Sequence, residues 1–136
     1  MKLLLRLTAF IEAGTGLGLI AVPALVVRLL LGSELLGAGI PLGRLAGVAL
    51  LALGIACWLA SFDTQSCAAR GIVSAMALYN LGAVLVLGAA GLQSQAVGIF
   101  LWPAVILHTV MTVWCITSLL QKSVQRGEVN PNLYRR

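Results

Sequence analysis

The stretch LLLRLTAFIEAGTGLGLIAVPALVVRLLL, residues 3–31, decides how this chain is built. It is an almost unbroken apolar run with one acidic residue, Glu12, well inside it. About 20 apolar residues, each adding ~1.5 Å of helix, cover the hydrocarbon core of a bilayer, so a run of this length crosses one. A straight helix through all of it would be roughly 43 Å long, well beyond the core thickness. Pro23 interrupts it, because proline removes a backbone donor and crowds the preceding turn. The run is therefore expected to hold a first span over 5–27, bent at Pro23, and a segment over 25–36 that leans into the interface with Arg28 and Glu34 among the headgroups.

The rest of the chain repeats the pattern. Of its 136 residues 60% are hydrophobic and 10% charged, and the mean hydropathy is +1.04. Soluble domains carry about a quarter of charged residues, so this is the composition of an integral membrane protein. The expected fold class is all-α, a polytopic four-helix bundle with spans over about 5–27, 42–62, 71–92 and 98–120 and short connections. Residues 1–120 form one transmembrane domain, and 121–136 a polar cytoplasmic tail that begins as a helical extension. The start of the chain has the outline of a secretory signal, with Lys2, an apolar centre and Ala21-Val22-Pro23-Ala24. The run is too long for one, however, and Glu12 breaks its centre.

Short loops rich in Lys and Arg stay in the cytoplasm. With four spans, one side holds Lys2, Arg6, Arg70, Lys122, Arg126, Arg135 and Arg136, whereas the other has only Arg28 and Arg44. Both termini are expected in the cytoplasm. The net charge of +5 then reads as an orientation signal and a contact with membrane lipids. Nucleic acid is not an expected partner, since the basic residues are scattered and lack an aromatic platform. Cys57 and Cys115 fall within spans and Cys67 in the second loop. No Cys-x-x-Cys pair is present, and the thiols read as structural.

Helix packing is written most densely in the second span. Gly39, Gly43 and Gly47 recur every four residues, as do Ala52, Ala56 and Ala60, and residues so spaced share a helix face. Small residues let a neighbouring backbone come close where lipid supplies no hydrophobic drive between helices. Gly16, four residues after Glu12, extends the same device to the first span.

Polar side chains at membrane depth are costly and each is a functional candidate. Counting at ~1.5 Å per residue from the cytoplasmic boundary puts Glu12 roughly 10 Å deep and Tyr79 and Asn80 roughly 12 to 14 Å. His108, counted from the other side, lies roughly 15 Å deep. These four form one candidate layer for a ligand or a proton. A carboxyl and an imidazole facing each other in a dry bundle can share a proton or hold a polar head. Each also has a plainer reading: Glu12 as hydrogen-bonded glue between helices, His108 as a satisfied packing residue. Arg44, near the outer boundary and too far to pair with Glu12, is either a snorkelling interface residue or an anchor for a headgroup. One histidine rules out bis-His haem and a zinc cage, and no metal site or cofactor is expected. Phosphate loops and serine-nucleophile motifs are missing, so the chain is not expected to be an enzyme.

The Glu12-x-x-x-Gly16 face, the Pro23 bend with Arg28 after it, Gly43-Arg44-x-x-Gly47, and Trp102-Pro103 with His108 resemble the small bacterial four-helix membrane proteins grouped loosely as DoxX-like. The resemblance covers the four spans and carries over no catalytic residue. It implies a multi-pass protein of the bacterial inner membrane that acts as an accessory subunit, in a group associated with quinone-linked sulfur oxidation or thiol stress. Glu12 also resembles the first-helix glutamate of small multidrug resistance transporters, which work as dimers. Two functions are thus expected. The first is a non-enzymatic accessory or assembly subunit of a larger membrane complex, holding a lipid or quinone-like molecule. The alternative is a proton-coupled small-molecule transporter paired with a second copy of itself.

Overall fold

The computed structural model describes residues 1–93 and 97–129, and of 122–129 the backbone alone. Among the described residues the chain is all-helical, with α1 Lys2–Ala21, α2 Pro23–Leu31, α3 Gly39–Ala60, α4 Cys67–Gln93 and α5 Leu101–Val129. Four of these, α1, α3, α4 and α5 as far as Gln121, are long and apolar enough to cross a membrane. The helical extension of the tail runs to Val129, and 130–136 lie outside the described residues.

At Pro23 the chain breaks where a bend was expected. Val22 adopts φ −135° and ψ 60°, outside the helical region. Proline disfavours the α conformation in the residue before it, and its own ring suits a helix start. The first span accordingly ends at Ala21 rather than near 27, and α2 is an independent short helix whose large apolar side chains include Leu25 and Leu29. Glycine closes α2: Gly32 takes φ 71° and returns its N–H to the Arg28 carbonyl. Arg28 and Glu34 are both exposed beyond the end of the first span.

The turn into α4 is built by side chains. Ser66 is its N-cap, since the Ser66 Oγ accepts from the Ala69 N–H at 3.1 Å while donating to the Asp63 carbonyl at 3.0 Å.

The long helices associate as two antiparallel pairs, α1 with α3 and α4 with α5. In the first pair the small residues meet. A Cβ on Gly16 would stand 2.6 Å from the Gly47 carbonyl oxygen, and one on Gly47 would stand 2.7 Å from that of Gly16. The next approach is at Gly54, against the backbone of Ala9 and Ala13, and not along the Ala52, Ala56, Ala60 row, whose first member is exposed. Seven residues after Gly47, Gly54 returns to the same face. Gly39 and Gly43 pack instead on Leu35 and, for Gly43, on Pro23.

The pairs join in the half of the bundle that holds the start of α1. There Leu4, Leu5, Ala9, Cys57, Val73, Met76, Met111 and Cys115 form a filled core to which every long helix contributes. On the exposed flank of the first pair, Phe10, Trp58 and Phe62 stack edge to face, and the Arg6 guanidinium lies 5.8 Å above the Trp58 ring.

Candidate binding cavity

In the other half the two pairs part. Between them lies a cavity of about 780 Å³, walled by apolar residues of all five helices. Its polar groups are Glu12 and Thr15 of α1, Tyr79 of α4 and His108 of α5, the first and last two lying where the filled core ends. Leu19 with Val26, Val27, Leu29 and Leu30 closes the α2 side, and Phe100 and Ala104 close the side at the start of α5. Thr15, Val86 and Leu107 belong to the wall and are also exposed, so the cavity communicates with the surface of the bundle.

Helix α2 is held over this space by backbone contacts. The Phe100 N–H donates to the Leu29 carbonyl at 3.0 Å, satisfying an acceptor that the end of a helix leaves free. Gly98 lies directly against the Leu29 and Leu30 carbonyl groups, an approach that no side chain at that position would permit.

Of the residues singled out from the sequence, Glu12, Tyr79 and His108 share the cavity and Asn80 stands behind it. Glu12 is 3% exposed, and the Tyr79 hydroxyl lies close to its carboxyl. Tyr79 also meets the His108 ring edge to face, with centroids 5.8 Å apart. Asn80, 2% exposed, donates from Nδ2 to the Met76 carbonyl at 2.7 Å and turns Oδ1 to His108 Nδ1, also at 2.7 Å. That Oδ1 can only accept, so Nδ1 of His108 carries a proton and a neutral ring keeps its lone pair on Nε2. The partner of His108 is thus Asn80, and Tyr79 stands between His108 and Glu12.

Arg44 lies elsewhere, exposed beside a shallow hollow formed with Val22 to Leu25 and Ile40. Thr112 is buried and spends its hydroxyl on the His108 carbonyl at 2.7 Å. Among the described residues no three His, Cys, Asp or Glu side chains gather as a metal site.

Gly82 was not singled out from the sequence. It follows Tyr79 by three residues on one helix face and lines the cavity, and a Cβ there would meet open space. Its spacing from Tyr79 was the available signal. The α2 wall had none, because a short apolar helix reads alike whether it covers a cavity or lies on lipid.

The fold and the site together define a multi-pass helical membrane protein with a polar-tipped cavity between two helix pairs. Compared with protein-family models, with curated proteins and with solved structures, the chain gives no match.

Proposed function

We propose that this is a small non-enzymatic protein of the bacterial inner membrane, termini in the cytoplasm, that holds one lipid or quinone-like molecule as an accessory subunit of a larger membrane complex. The observation that carries the reading is the cavity itself: about 780 Å³, apolar along its length and polar at one end through Glu12, Tyr79 and His108. Sites for small molecules commonly span ~300–1,000 Å³ and combine apolar walls with a few convergent polar groups. An amphiphile fits that division, its tail along α2 and its head at Glu12.

The test is occupancy. Native mass spectrometry of protein extracted in mild detergent is expected to retain a small-molecule adduct, and Gly82→Phe, which fills the cavity while leaving Glu12, Tyr79 and His108 in the sequence, is expected to lose it. An adduct that survives in the folded variant would end this reading. A partner that co-purifies in the same detergent is the outcome expected for an accessory subunit.

A second reading, proton-coupled transport by a homodimer, draws on Glu12 and His108 lining one cavity. It requires the core around Leu5, Met76 and Met111 to open, since that core fills the other half of the bundle. Flux into vesicles under a pH gradient, abolished by Glu12→Gln, is its expected signature.

A further inference from the structure

The binding reading leaves the chemistry of the head open, and the hydrogen-bond directions around the cavity narrow it. Asn80 takes the only proton of a neutral His108 ring, so Nε2 is left as an acceptor, and it makes no hydrogen bond among the described residues. The Tyr79 hydroxyl lies beside Glu12, and an ionised carboxylate that accepts its hydrogen bond keeps a second oxygen free as an acceptor. Among the described residues no Lys or Arg lines the cavity. Arg6 lies on Trp58, Arg28 and Arg44 are exposed outside the cavity wall, and among the described residues no cation lies within ion-pair range of Glu12.

Resting on the cavity being a binding site, we infer that it selects an amphiphile whose head donates hydrogen bonds, a hydroxyl-bearing ring or an alkylammonium, over one whose head only accepts. A quinol meets both Glu12 and Nε2 with hydroxyl protons. The corresponding quinone, of nearly the same shape, brings carbonyl oxygens to lone pairs. An ammonium supplies donors and also the charge that Glu12 lacks as a partner. A carboxylate or phosphate head is opposed on both counts. Leaving buried acceptors facing acceptors forfeits hydrogen bonds to both, and discrimination of at least about tenfold, about 1.4 kcal/mol, is expected.

The experiment titrates purified full-length protein in detergent at about pH 8, where a histidine with its usual pKa of ~6.5 is neutral. One arm compares decylubiquinol with decylubiquinone under anaerobic conditions, the other dodecylamine with dodecanoate. The donor of each pair is expected to bind at least about tenfold tighter. Glu12→Gln, whose amide adds a donor at the same place, is expected to bring the ratio toward one. Binding confined to one arm identifies whether ring hydroxyl or ammonium is the source, and the ratio within that arm decides. Equal or tighter binding of the quinone or the fatty acid overturns the inference while leaving the cavity a binding site, as does a ratio unchanged in Glu12→Gln. Failure of all four probes to bind removes the binding reading and this inference together.

Discussion

Asn80 shows how one side chain sets the character of a site it does not line. It was legible in the sequence as a polar residue at membrane depth, beside Tyr79 and level with His108. Its role was not, because the direction of an amide depends on which carbonyl lies within reach, and here that is Met76 on its own helix. Asn80→Leu keeps the bulk but removes two short hydrogen bonds and leaves His108 Nδ1 without its acceptor. A loss of about 1–3 kcal/mol is expected, read as a lower thermal midpoint in detergent. The imidazole, no longer held in one tautomer, is also expected to discriminate less between quinol and quinone. Thr109→Val serves as the comparison. That hydroxyl bonds only to the Val105 carbonyl of its own helix on an exposed face, and a change within about 0.5 kcal/mol is expected.

At the scale of elements, the close approach of α1 and α3 rests on glycine where backbone meets backbone. Gly16→Ala places a methyl 2.6 Å from the Gly47 carbonyl oxygen and 2.8 Å from the Leu51 nitrogen, and neither atom is free to turn aside. Overpacking of this kind costs about 1–3 kcal/mol, so the thermal midpoint is expected to fall. Gly14→Ala, two residues away and with open space around its Cβ, is expected to leave it unchanged or raise it slightly. The junction of α2 with the start of α5 makes a second case. Gly98→Ala would set a methyl against the Leu29 carbonyl, and α2 is expected to lift from the cavity, with weaker retention of the adduct in native mass spectrometry. The four-residue glycine rhythm was readable; in the structure Gly16 and Gly47 meet backbone to backbone, while Gly39 and Gly43 lie against Leu35. The continuation through Gly54 was missed because the alanine row suggested a different face, and only the crossing of the two helices shows which face is used.

For the whole molecule, the three cysteines offer a measure of both burial and orientation. Cys57 and Cys115 are buried in the core, and Cys67 is exposed at the start of α4, on the side of the bundle where α1 also begins. A membrane-impermeant maleimide is expected to label Cys67 alone, and only when applied to the cytoplasmic face of sealed vesicles. Labelling from the opposite face would reverse the proposed topology. Reaction of Cys57 or Cys115 before denaturation would contradict the filled half of the bundle.

What the sequence determined by itself is that four stretches form helices long and apolar enough to cross a membrane, and where along each helix its polar residues stand. Length and hydropathy are properties of a segment alone, and depth along a helix is a matter of counting. What only the tertiary structure decided is that the helices associate as two pairs, that the pairs join at one end and part at the other, and that Glu12, Tyr79 and His108 open onto the space between. Those outcomes depend on which faces meet across long separations, Gly16 with Gly47 and Asn80 with His108, and a helix's own pattern specifies a face without naming the neighbour that will cover it.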